Sequence, residues 1–269
     1  MVFRPHCSTA LALIALLTAL PTAETTAQAT RDQSRLVLGV SVGYIGGTDL
    51  WSVAEQPIIT NTEATDVFRL KRSLRSNVSV IGQATWYSSA NLGFTGEMAY
   101  LGLGTRDSCG LVAASGDPLN RLVCRTLDGN ERPASAVALG VGVNFRPASR
   151  AFLQPYLRAV TGIALAPRST VRTVATIGQF GDTAFTIYPG NNGTDTKLTG
   201  TAAVGFATSA SPGYQFRVEL RNTWVQLPIV TGPTVFQGEI PPTRSAWKAL
   251  PSLLIGFDIV LEKRRGRRY

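Results

Sequence analysis

Three carboxylates, Glu97, Glu219 and Asp258, and three arginines, Arg158, Arg217 and Arg221, sit in segments that alternate apolar with small or polar residues. In each case the charge falls on the small, polar side of the alternation. Such groups can do one of two things. Paired carboxylates can act as general acid and base, or carboxylates and guanidiniums can neutralise one another in a confined interior. Equal numbers of the two signs favour the second, because an unpaired buried charge is costly. Histidine narrows the chemistry further. The only one, His6, lies in an N-terminal segment with the pattern of a cleaved leader. Ser-His-acid and Cys-His catalysis are therefore excluded in their ordinary form, and zinc loses its commonest ligand. No glycine-rich phosphate loop of the usual spacing occurs. The expectation is a protein without catalytic residues, metal or cofactor.

The leader combines Arg4, the apolar run Thr9 to Leu20, and Ala27-Gln28-Ala29 as a cleavage signal. That run is shorter than the roughly 20 residues of a spanning helix. Residues 1–29 are read as a signal peptide, 30–262 as one domain and 263–269 as a basic tail. Two cysteines remain after cleavage, Cys109 and Cys124, inside a Gly/Asp/Asn-rich connection. For an exported chain this pair reads as a disulfide.

The charges must be held by strands. Charged residues make up only 16% of the chain, against roughly 25% in ordinary soluble domains. Eight segments alternate with period two: Leu36 to Ile45, Asn77 to Tyr87, Leu92 to Gly102, Ala136 to Phe145, Phe152 to Ala164, Leu198 to Ala207, Tyr214 to Trp224 and Pro251 to Leu261. In the last, Leu253, Ile255, Phe257, Ile259 and Leu261 share one face, and Ser252, Gly256 and Asp258 lie on the other. The connections run long, short, long, short throughout. That rhythm, with strands near ten residues, predicts an all-β fold: an eight-stranded antiparallel up-and-down transmembrane β-barrel with short periplasmic turns and long extracellular loops. Within the long connections Val67 to Leu74 can be extended above the membrane, and Val171 to Ile177 can pair with Ala184 to Tyr188 as an exposed hairpin; a count of ten strands stays open.

Aromatic residues support the same parity. Trp86, Phe94, Phe145, Phe206, Tyr214 and Phe216 fall on the apolar face at the short-turn end, and Tyr44, Tyr100 and Trp224 at the long-loop end. Two rings of aromatics are expected where a barrel meets the two membrane interfaces. The formal charge of +9 is concentrated in the tail, where Lys263, Arg264, Arg265, Arg267 and Arg268 lie. For an exported protein the matching partner is anionic lipid or lipopolysaccharide, not nucleic acid. Lys71, Arg72, Arg106, Arg125, Arg168 and Lys248 are expected to be solvated loop charges.

With the leader, the eight segments and the two rings, the chain resembles the OmpA-like small outer-membrane barrels, without a peptidoglycan-binding domain. The resemblance implies a bacterial outer-membrane location and insertion by the outer-membrane assembly machinery. It also implies a structural or interaction role through long surface loops, with the loop ligand unspecified. Tyr269 supplies the terminal aromatic of that family, though Lys263 to Arg268 interrupt the alternation before it. The alternative function is a narrow, porin-like channel for small solutes. An eight-stranded interior, just filled by side chains, argues for a lumen plugged by salt bridges instead.

Overall fold

The computed structural model describes residues 35–59, 65–149, 151–166, 170–177, 183–190, 195–211 and 213–261. The proposed signal peptide, the basic tail and Arg168 lie outside the described residues. The barrel strands are β1 (Arg35–Ile45), β4 (Asn77–Tyr87), β5 (Leu92–Gly102), β8 (Ser135–Phe145), β9 (Leu153–Ala166), β12 (Asp195–Ser211), β13 (Tyr214–Val230) and β14 (Thr243–Leu261). They close in the order β1-β14-β13-β12-β9-β8-β5-β4, each strand antiparallel to both neighbours. Closure sets Leu36 opposite Leu261 and Ile45 opposite Ser252, so neither terminal barrel strand leaves a free edge.

Side-chain direction follows the pleat. Leu38, Val40, Val42 and Tyr44 of β1 point outward and are exposed, while Val37, Ser41 and Ile45 point inward and are buried. The same parity holds in β14, where Leu253, Ile255, Phe257 and Ile259 are outside and Leu254 and Asp258 inside. Glycines on the inner face keep the lumen narrow. A Cβ on Gly39 would overlap the Asp258 carboxylate, and one on Gly256 would overlap the Ser41 hydroxyl. Pro155 fits within β9 opposite Phe206.

The long connections are folded, not splayed. β2 (Thr48–Ile58), β3 (Asp66–Leu74), β6 (Thr105–Ala113) and β7 (Glu131–Arg132) form a second sheet. β10 (Thr173–Ile177) and β11 (Thr183–Tyr188) form a hairpin. The additional strands therefore build a cap and leave the barrel at eight. β12, β13 and β14 run to 17, 17 and 19 residues, longer than their alternation suggests, and β2 packs against β13 and β14.

One helix, α1 (Pro118–Leu127), lies within the cysteine-bearing connection. Asp117 caps it by accepting the Leu119 amide at 2.8 Å, and Pro118 starts it where no N–H is needed. Asn120, Val123, Cys124 and Leu127 turn one face inward at helical spacing. Gly129, with φ of 74°, ends it in the left-handed region. None of the described helices is long and apolar enough to cross a membrane, which says nothing of strands.

Candidate functional site: the occluded lumen and the folded cap

The inward rows of the barrel bring the six charged residues into one layered network, and the side chains of all six are almost fully covered. Glu219 of β13 is its hub. Its Oε2 accepts the Tyr156 hydroxyl at 2.7 Å and lies 3.2 Å from Arg158 Nη1, and its Oε1 is 3.6 Å from Arg221 Nη1. Arg221 also donates to Glu97 across the lumen. Arg158 donates to Gln83. Toward the short-turn end, Arg217 donates to Asp258 at 3.1 Å and to Ser41.

Arg146 joins this interior, although its place in a short turn hid it from period-two reading. Its guanidinium lies 3.5 Å from the ring centroid of Tyr87 and donates to Gln154 at 3.3 Å. The interior of the described residues thus holds a fourth arginine beside the three of each sign expected. Its only sequence signal is adjacency to Phe145, the last residue of β8.

Above the charges, the filling becomes apolar. Ile45, Ile81, Ala99, Leu101, Leu250 and Leu254 belong to one continuous core with Leu50, Val53, Phe68 and Leu70 of the cap. The barrel mouth and the cap are therefore a single hydrophobic unit. Cavities beside the network measure about 20 and 10 Å³. Each has room for about one water molecule.

The cap has its own polar framework. Arg72 of β3 was expected to be solvated, but it is 1% exposed. Its Nε and Nη2 donate to the Asp107 carboxylate at 2.5 and 2.8 Å, and its Nη1 donates to the carbonyls of Thr170 and Arg172. Burial is possible because its donors are met on several sides and its guanidinium carbon lies 5.2 Å from the Trp51 ring centroid. A second buried knot joins Gln56 to Tyr188 at 2.7 Å and to Thr234 at 3.0 Å, tying together β2, β11 and the β13–β14 connection. Burial raises the Tyr188 phenol above its ordinary range, so it stays protonated and remains a donor.

Other cap charges remain at the surface. Lys71 pairs with Asp49 at 2.9 Å, Lys248 donates to the Asp49 carbonyl at 2.7 Å, and Arg75 and Arg106 share Glu131. Cys109 of β6 and Cys124 of α1 are joined in a disulfide, with Cα atoms 5.4 Å apart. Among the described residues no three His, Cys, Asp or Glu side chains gather as a metal site.

On the outside of the barrel, the nine aromatics fall where their parity puts them and are all exposed. Trp86 stacks on Phe94 at 6.0 Å, and Phe257 meets both Tyr214 and Phe216 at 5.5 Å. Trp247, opposite Gln226 on the extended β14, adds an exposed ring at the long-loop end that the shorter sequence segment missed. Between the rings the wall is apolar on every strand except for Thr161 on β9 and Asn222 on β13. From Leu36 to Tyr44 it covers about 26 Å of strand, or roughly 20 Å of height at the usual tilt.

A closed eight-stranded antiparallel barrel, apolar outside and charged within, is thus the class that fold and site define. No family model matches the sequence, and no curated protein matches it. Among solved structures the chain is similar to small eight-stranded outer-membrane barrels. One is the outer membrane protein OprG from Pseudomonas aeruginosa, at 9% identity over 86% of this chain and 98% of that one, with a TM-score of 0.47. Another is the outer membrane protein AlkL, studied in lipid bilayers, at 11% identity over 92% and 99%, with a TM-score of 0.41. A third is Neisserial surface protein A, at 9% identity over 84% and 96%, with a TM-score of 0.39. The fold assignment rests on the chain's own strand pairing.

Proposed function

We propose that this protein is an integral outer-membrane barrel with a structural or interaction role, closed to solutes and presenting its folded cap outside the cell. One observation carries the reading: every strand turns a mostly apolar face outward, free of charge, while the charges are inside. A soluble barrel would reverse that arrangement, since continuous apolar surface of this extent is not left to water. The antiparallel closed sheet satisfies its backbone within itself, as a membrane-spanning sheet must. Both described chain ends then lie on the periplasmic side with the short turns.

The plug supports an interaction role over transport. Salt bridges fill the lower lumen and an apolar layer seals the upper, so conduction requires displacing both. Purified protein reconstituted in a planar bilayer is expected to give no steady conductance. Regular single-channel steps from the native protein would contradict the closed barrel and favour the narrow pore.

A further inference from the structure

The outer wall changes character where it leaves the barrel. The β1–β4 ladder ends at Ile45 opposite Asn77, and the β2–β3 ladder resumes in the same register at Thr48 opposite Leu74. The cap sheet therefore stands on the barrel rim. Its inner side, with Phe68, Leu70 and Leu74, belongs to the core shared with the barrel, while Arg69, Lys71 and Arg75 are exposed on the other side. Just beyond the ring residues Tyr44 and Tyr100, the wall passes from apolar to charged.

Surplus positive charge gathers along β7. Arg106 lies opposite Glu131 and donates to it at 3.0 Å, and Arg75 reaches the same carboxylate. Beside it, Arg132 donates to the carbonyls of Arg172, at 3.2 Å, and Val174. Arg132 is half-buried and Arg172 exposed, and neither has an ion-pair partner among the described residues. The Asp107 carboxylate nearby is held by Arg72. Four guanidiniums thus share Glu131. Elsewhere on the cap sheet the exposed signs balance, Lys71 and Arg69 against Asp49 and Glu55.

Height narrows the partner. Arg75 lies three residues above Val78, the partner of Tyr44, and Arg106 six above Tyr100, while Arg132 is level with Thr105. These steps are roughly 10–20 Å of strand, or roughly 8–15 Å of height at the usual tilt. A phospholipid headgroup zone is only about 5–8 Å deep, so its phosphates fall short of Arg106 and Arg132. A sugar headgroup carrying phosphate reaches both, and guanidiniums match phosphate oxygens with paired N–H donors.

We infer, on the membrane-spanning reading above, that Arg75, Arg106, Arg132 and Arg172 bind the phosphorylated sugar headgroup of an outer-leaflet glycolipid. The charge selects phosphate, and the height beside the wall selects a glycolipid over a phospholipid.

Native mass spectrometry of the full folded chain tests this with three lipid probes: lipopolysaccharide with phosphorylated inner sugars, the same molecule stripped of phosphate, and phosphatidylglycerol. The first should be retained roughly tenfold over the other two, and excess inorganic phosphate should not displace it. Arg106→Gln with Arg172→Gln leaves the Arg132 contacts in place. It should cut that retention roughly fivefold, since each exposed pair is worth a factor of about 1.5–5. Arg244→Gln, at an exposed arginine of β14, should leave it unchanged. Equal retention of the stripped glycolipid or of phosphatidylglycerol overturns the inference, as does retention that survives the double variant. Displacement by inorganic phosphate or by a soluble sulfated polysaccharide also overturns it, by assigning the cluster to a ligand from outside the membrane. Each sample is run on a gel with and without boiling, so that loss of the barrel is read separately. Failure of the folded chain to insert into vesicles would sink the membrane-spanning reading and the inference with it; insertion with equal retention sinks the inference alone.

Discussion

Arg72 and Asp107 meet side on in the cap, with two hydrogen bonds of 2.5 and 2.8 Å between groups that are both buried. The pair joins β3 to β6, and further bonds from Arg72 reach Thr170, Arg172 and, at the start of β10, Thr173. Removing one partner leaves a buried charge uncompensated, which costs about 3–5 kcal/mol. Arg72→Ala is therefore expected to open the cap while leaving the barrel closed. Limited proteolysis should then cut within residues 46–75 and 103–134 while the gel shift on boiling is retained. Replacing both partners by leucine should do less damage than Arg72→Ala alone.

The disulfide acts on the same cap from the other side. Cys109 and Cys124 are separated by 15 residues in sequence, a loop whose closure contributes about 3 kcal/mol by the chain-entropy argument. Cys109→Ser with Cys124→Ser should speed amide exchange in α1 and β6 and leave the barrel strands protected. Equal exchange with and without the bond would show that the surrounding core orders the cap unaided.

In the lumen, Glu219 faces three arginines, so its loss is felt by all of them. Glu219→Gln keeps the shape and the Tyr156 contact but removes the charge. It should destabilise the folded barrel by about 3–5 kcal/mol, read as a lower urea midpoint for loss of the gel shift. Combining it with Arg158→Met should recover part of that loss, because the pair then leaves together.

Acid should loosen two cap contacts. Burial pushes the Asp66 carboxyl up, but hydrogen bonds from Ser115 and Asn120, with Arg121 nearby, outweigh it and hold the group below its ordinary value. Glu131 is held low by the hydrogen bond from Arg106, with Arg75 beside it. A carboxylate depressed by folding lends its stability above the unfolded pKa, near 4, and loses it as pH falls through the folded value. Amide exchange at Ser115, whose N–H donates to Asp66, should therefore gain protection relative to a reference amide as pH rises through that window. Asp66→Asn should flatten the dependence.

The barrel was legible because its two faces carry different kinds of residue. Each strand has hydrocarbon-compatible residues on one side and small or charged ones on the other, so parity alone separates Asp258 from Phe257. The cap has no such rule. β2 carries register shifts between Asp49 and Trp51 and between Val53 and Gln56, which scramble its alternation. Its burial depends on partners far along the chain: Gln56 finds Thr234 178 residues away. Arg72 looked like any loop cation for that reason. The helix α1 was signalled locally, by Asp117-Pro118 at its start and Gly129 after its end, but the surrounding turn-forming residues masked it. Arg146 shows the limit of parity, since a turn residue can fold back into the lumen.

On the proposed function, the wall between the two aromatic rings faces lipid. Depth-dependent quenching by brominated lipids tests it most directly, in vesicle-reconstituted variants that each keep one tryptophan. Trp86 and Trp224 should be quenched most by bromines near the headgroups, at opposite faces of the bilayer, and Trp51 in the cap should not be quenched. Absence of quenching at Trp86 and Trp224, with the barrel folded, would contradict a membrane-spanning wall.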